Sequence, residues 1–327
     1  MRLDSRFNLD ANGHRIALDT SGSHSDSCFV SHAHADHTGA LKSRKNKIIA
    51  SEETVALAGR SADRISSLEF DGTKAELLPS GHMLGARQLR VECGGESFTY
   101  TGDFKLDKSL TAEEAEVRET DVLMIEGTFG DPAHEFPERE EVYDAISFFI
   151  KKNYEAGNIV LLGGYALGKA QELVAITNRL CSLKPVVSER IGRACRVYSD
   201  FGVRLDAAVM GTPEAEELME SNFVAVMPFH EVNYGNAVAI SRKFRRSVYS
   251  AIATGWAKSM RFPVDVAFPL SDHADFKDIL GYVEAARPKT VYCCHGNEET
   301  LSRELRRRGI NASGLGEKSA QATICGW

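Results

Sequence analysis

No apolar run in this chain is long enough to cross a bilayer. The longest, NIVLLGGYALG at 158–168, falls well short of the ~20 residues a spanning helix requires, so no membrane span is expected. The opening MRLDSRFNLDANG lacks the apolar stretch of a secretory leader, and export is not expected. Cysteine is sparse and unpatterned. There are seven, an odd number, two of them adjacent as Cys293 and Cys294, which is no disulfide framework and points to a reducing cytoplasm. Internal repeats and low-complexity tracts are also absent. So is an excess of positive charge, because 39 Lys and Arg stand against 46 Asp and Glu for a net charge of −7. That balance does not advertise a nucleic-acid binder, although a polyanion responds to a local groove rather than to the total. Basic clusters do occur: Lys42, Arg44, Lys45 and Lys47; Arg190, Arg193 and Arg196; Arg242, Lys243, Arg245 and Arg246; Arg306, Arg307 and Arg308. The simpler reading of each is a solvated face.

What is present is the composition of a globular protein, 327 residues with 43% hydrophobic and 26% charged, enough for one large domain or two ordinary ones. CFVSH, KIIAS and the run 74–104 read as short strands broken by Gly turns, and DVLMIEG as a central strand. After the Pro-rich, charged DPAHEFPERE the pattern changes to alternating apolar runs and helical periods, the signature of an α/β unit. Histidine and aspartate at strand ends concentrate in residues 1–134 and 263–327, whereas 135–262 holds one histidine, His230. The expected organisation is therefore a metal-binding domain, 1–134 plus 263–327, interrupted by an inserted α/β domain, 135–262.

SHAHADHTGA at 31–40 packs His32, His34, Asp36 and His37 into six positions of a chain with ten histidines. Neutral imidazole and carboxylate are the donors that borderline cations such as Zn²⁺ prefer. The two-residue spacing of His32 and His34 puts both on one face, and Asp36 and His37 follow on the loop. Two neighbouring cations would need six to eight ligands, and this stretch supplies four. His82 in SGHMLGA, Asp103 in YTGDF and His295 in CCHG each lie just beyond an apolar run beside a Gly, where open sheets place ligands. His14, His24, His134 and His230 read as structural or merely exposed.

SHAHADHTG, SGHMLGA and TGDF together resemble the metallo-β-lactamase superfamily, which implies an αββα sandwich with the metal site at one sheet edge. IEGTFG (125–130), LSDHADF (270–276) and CCHG (293–296) resemble the three further motifs of the β-CASP nucleases, with the inserted α/β domain between the first and second. GGYALGKAQEL and ATGWA also fit that group. Length and motifs look most like the small DNA-ligase-associated exonucleases of bacteria and the archaeal mRNA 3′-end processing exonucleases. One departure is Gly127, where relatives often carry Ser or Ala.

The resemblance implies two Zn²⁺ ions, with Mn²⁺ as an alternative. His32, His34 and His82 would hold the first, and Asp36, His37 and His295 the second. Asp103 would bridge them. It also implies catalytic roles for Asp36, for His273 as general acid and for Glu126 as the group that orients His273. The activity expected is hydrolysis of phosphodiester bonds in single-stranded RNA or DNA, in RNA processing or DNA repair, with water activated by two metals. A homodimer or a processing or repair complex is the expected assembly. Gly168 and Lys169, where a Gly turn opens a helix, form a candidate phosphate site, with Arg190, Arg193 and Arg196 as groove cations. Two alternatives remain at this level: a catalytically silent nucleic-acid-binding subunit, and a thiolester or lactam hydrolase, which would need neither the insertion nor His273.

Overall fold

A computed structural model describes residues 1–22, 24–42, 47–60, 69–70 and 73–315; Arg44 and Lys45 of the first basic cluster lie outside them. The chain divides into two compact units, one of residues 1–108, 112–135 and 273 onward, the other of 109–111 and 136–272.

The first unit contains two sheets. A five-stranded sheet runs in sequence order through Arg2–Asp4, Asn8–Ala11, His14–Leu18, Ser27–Phe29 and Ile48–Ile49. A seven-stranded sheet has Val122–Gly127 between the parallel strand Thr290–Gly296 and Glu96–Tyr100. Side-chain alternation along each strand sorts the apolar residues into layers. Phe29 and Ile49 of the small sheet meet Val91, Phe98, Val122, Met124 and Tyr292 of the large one in a core between the sheets. Leu123, Ile125, Val291 and Cys293 point the other way, onto the helices Phe276–Ala286 and Glu298–Arg307. Cys28, Val30 and Ile48 likewise face outward, onto Ala40, Leu41 and Val55. The layers are thus helix, sheet, sheet, helix, the αββα sandwich expected. Each fully buried Phe or Leu contributes roughly 1.5–3 kcal/mol to this packing. Adjacent Cys293 and Cys294 fall in different cores for the same reason of alternation.

The second unit is a six-stranded sheet in which every pairing is parallel. Ile159–Gly164 lies near its middle, and both faces are covered: Val160 and Leu162 pack with Ile146, Ile150 and Val174, while Ile159 and Leu161 pack with Val186, Ala215 and Ile252. That burial on two sides is why the strand reads as an unbroken apolar run. Val266–Phe268 pairs with Val248–Ala253 in this sheet. Residues 263–272, placed by composition with the metal-binding domain, therefore belong to the second unit: the strand is short, and its histidine-bearing neighbour begins only at His273.

Candidate metal centre

The carboxyl ends of several strands of the first unit deliver the site. His32, His34, Asp36 and His37 follow Ser27–Phe29, His82 follows Thr73–Pro79, and Asp103 follows Glu96–Tyr100. Glu126 lies near the end of Val122–Gly127, and His295 near the end of Thr290–Gly296. Close approach explains the glycines beside two of these residues. A Cβ on Gly81, at φ +78°, would sit 2.0 Å from the Lys105 carbonyl oxygen, and one on Gly102, at φ +55°, would sit 2.6 Å from the Ser31 Cβ. His295 itself takes φ +55°, a left-handed conformation that costs a non-glycine residue energy.

Four donor atoms converge. His34 Nδ1 lies 3.0 Å from His32 Nε2 and 3.2 Å from His82 Nε2. Asp103 Oδ2 lies 3.5 Å from His32 Nε2 and 3.9 Å from His82 Nε2. All four fall within 4.8 Å of one another. A tetrahedron with metal–ligand bonds of ~2.0–2.1 Å has edges of roughly 3.3 Å, so the spacing is that of one coordination shell. The electrostatics agree. Burial, then the charges of His37, His82 and His34, holds His32 well below its ordinary pKa, keeping it neutral. Burial, then the charge of Glu126, pushes Asp103 up to about 7. The charges of His273 and His37 offset only part of that rise, and a divalent ion would oppose it further.

His37 joins from a second direction, with Nε2 3.5 Å from Asp103 Oδ2 and 3.6 Å from Asp36 Oδ2. Its Nδ1 donates to Asp19 Oδ2 at 2.8 Å. Asp19 is the residue the sequence reading missed. It is buried, and it also accepts from the Ser31 N–H at 2.7 Å, the Ser31 hydroxyl at 2.6 Å and the Tyr100 hydroxyl at 2.8 Å. Although burial opposes the charged form, Asp19 raises His37 to about 10. Such a carboxylate fixes the imidazole tautomer and presents the other nitrogen to a metal. Its signal was positional: Asp19 follows His14–Leu18, which pairs in parallel with the strand leading to His32. Asp36 is largely exposed, and His295 Nε2 lies 3.1 Å from the Tyr100 hydroxyl. Among the described residues, Asp36, His37 and His295 fall outside the two donor groups that close within 4.8 Å.

The second such group is Asp103, Glu126 and His273. His273 Nδ1 lies 2.9 and 3.0 Å from the two oxygens of Glu126. Glu126 is buried and accepts from the Phe104 N–H at 2.7 Å and the Thr128 hydroxyl at 2.5 Å. Burial works against its charge, but the charge of His273 and these hydrogen bonds prevail and hold Glu126 below its usual range. Phe104 ties the pair together, because its carbonyl also accepts from the Ala274 N–H at 2.7 Å.

The candidate phosphate site is built differently from expectation. Lys169 is buried, and its Nζ donates to Glu172 at 2.8 Å and Asp272 at 2.6 Å. Glu172 also accepts from Arg139 at 2.6 Å and the Tyr143 hydroxyl at 2.5 Å. The Gly168 N–H donates to the Gln171 side chain at 2.7 Å. Both Lys169 and Gly168 are therefore engaged inside the second unit rather than presented to a ligand. Arg190, Arg193 and Arg196 are exposed on the helix Glu189–Asp200, where Glu189 lies 3.2 Å from Arg196 and 3.8 Å from Arg193. Among the four histidines set aside, His14 bonds Ser27 at 2.8 Å and His230 is exposed.

The family model for the Zn-dependent metallo-hydrolase RNA specificity domain (RMMBL) matches residues 266–313. A probable DNA ligase of Opitutus terrae is 35% identical over 321 residues, covering 88% of this chain and 28% of that protein. An RNase J-like protein of Methanocaldococcus jannaschii is 28% identical over 182 residues, covering 47% of this chain and 43% of that one. The crystal structure of a protein of unknown function from Enterococcus faecalis superimposes with a TM-score of 0.59 at 15% identity, over 89% of this chain and 79% of that one. The chain thus spans less than half the length of these curated relatives. Fold, donor set and matches together resemble those of the metallo-β-lactamase superfamily in its β-CASP group.

Proposed function

We propose that this chain is a zinc-dependent nuclease that hydrolyses phosphodiester bonds of single-stranded RNA or DNA. The observation that carries the reading is Asp103, a carboxylate common to a four-donor metal shell and to the Glu126–His273 pair. Its role is to hold metal and proton donor in one place. His32, His34, His82 and Asp103 would hold one ion. Asp36, His37 and His295 would hold a second, with Asp103 between them. Bound zinc would supply Lewis-acid charge for the phosphoryl oxygens and lower the pKa of an attacking water to ~7. The remaining chemistry falls to the chain. With Nδ1 fixed by Glu126, His273 would hold a proton at Nε2 for the leaving oxygen, which otherwise departs as a strong base. Asp19 keeps His37 in the tautomer that turns Nε2 toward Asp103 and Asp36.

Support for the substrate comes from both nucleic acids, through the RNA specificity domain and RNase J-like protein on one side and the probable DNA ligase on the other. An end-labelled digest of matched single-stranded RNA and DNA, with Zn²⁺ or Mn²⁺ and an EDTA control, tests the reading. Metal-dependent shortening of one or both strands, abolished by EDTA, is expected. Intact strands in the presence of fully metal-loaded protein would refute it.

A further inference from the structure

The second unit carries a feature that the metal chemistry does not use. Its two central neighbours, Ile159–Gly164 and Val224–Pro228, run parallel, and their chains depart to opposite faces of the sheet. The helix after the first, Lys169–Cys181, packs its Ala170, Leu173 and Val174 on one face. The helix after the second, Tyr234–Phe244, packs its Ala237, Ile240 and Phe244 on the other. Such a point of divergence opens a crevice at the carboxyl ends of the strands, where parallel sheets hold ligands.

An aromatic pair occupies this edge. Tyr165 directly follows the first strand and Phe229 the second. Their rings are parallel within 12°, with centroids 5.8 Å apart. Phe229 is braced edge-on by Phe262 at 5.6 Å and 88°. Tyr165, in contrast, is 55% exposed, unusual for a large ring whose neighbours are packed. Basic residues stand at the same edge: exposed Arg261 precedes Phe262 and exposed Lys258 ends the turn after Val248–Ala253, while exposed His230, which follows Phe229, lies 3.8 Å from Glu231. A braced ring behind an exposed one, set among positive groups, suits a flat aromatic ligand attached to a polyanion.

We infer that Tyr165, backed by Phe229, is a stacking platform for an unpaired nucleobase of a single strand. This deepens the nuclease reading and rests on it. Stacking accepts any base, because each presents a π face, and the cations would meet the flanking phosphates.

The test is fluorescence anisotropy of zinc-loaded protein with a short thymidylate strand made cleavage-resistant by phosphorothioate linkages. An abasic strand of equal charge runs in parallel. Tyr165→Ala should weaken thymidylate binding by ~5–100-fold, Phe229→Leu should weaken it less, and Tyr165→Phe should preserve it. The abasic strand should bind weakly and equally to all four proteins. Unchanged thymidylate affinity in Tyr165→Ala, or equal affinity for the two strands, would overturn the platform. Hydrolysis of bis(p-nitrophenyl) phosphate is measured alongside, since it needs the metal centre but no strand. Wild-type turnover of this substrate is expected and reports on the metal centre separately from strand binding. If the wild type binds the strands but hydrolyses no phosphodiester, the nuclease reading fails while the platform stands.

Discussion

His273 and Glu126, 147 residues apart in sequence, meet with Nδ1 2.9 Å from Oε2 and 3.0 Å from Oε1. The backbone of Phe104 brings them together, donating to Glu126 and accepting from Ala274. A carboxylate held this firmly fixes the ring and its Nδ1 proton. Either His273→Ala or Glu126→Gln should lower turnover by ~10²–10⁴-fold with metal content unchanged. The double variant should be scarcely worse than either single one, because the two act as a unit. Additive losses, or zinc lost in parallel with activity, would assign them separate or structural roles.

Asp103 should be the most sensitive ligand, since it faces His32, His37 and His82 at 3.5–3.9 Å. Asp103→Ala is expected to lose at least one zinc by elemental analysis and essentially all activity. Full occupancy in that variant would remove Asp103 from the centre.

Asp19 acts through His37. Asp19→Asn should weaken metal binding by ~10–100-fold, the usual cost of losing an orienting carboxylate. The metal-free protein offers a second readout. His37 is raised from 6.5 to about 10, so its ion pair with Asp19 contributes fully below pH 6.5. That contribution fades as the pH rises toward about 10. Denaturant titrations in EDTA should show wild-type stability falling across that window relative to Asp19→Asn. Parallel curves for the two proteins would show that the pair does not form.

Lys169 is predicted to be a stability residue. Lys169→Met would leave buried Glu172 and Asp272 without their shared cation, a loss of ~3–5 kcal/mol for a broken buried pair. Chemical denaturation measures it. A stable variant with weakened, less salt-dependent strand binding would return Lys169 to the role of a phosphate contact.

The metal cluster was legible because its chemistry is local: three imidazoles and a carboxylate in six positions have few other uses, and His82 and Asp103 stand just past apolar runs beside glycines that close packing requires. The Glu126–His273 pair was legible only through family resemblance, since no spacing rule joins residues so far apart. Asp19 was hidden as a single aspartate in a turn. Only the parallel pairing of its strand with that of the histidines reveals it. Lys169 misled because a Gly turn opening a helix with Lys is also what a phosphate site looks like, and the deciding signal, Glu172 one helical turn on, is as common on solvated faces. The second domain boundary slipped by about ten residues because Val266–Phe268 is too short to announce its sheet.

Anomalous diffraction at the zinc edge, from crystals of protein purified without chelator, probes the centre itself. The expected result is a peak within ~2.0–2.1 Å of His32 Nε2, His34 Nδ1, His82 Nε2 and Asp103 Oδ2, with a second beside His37. Zinc-supplied crystals showing no anomalous density among those atoms would contradict the account.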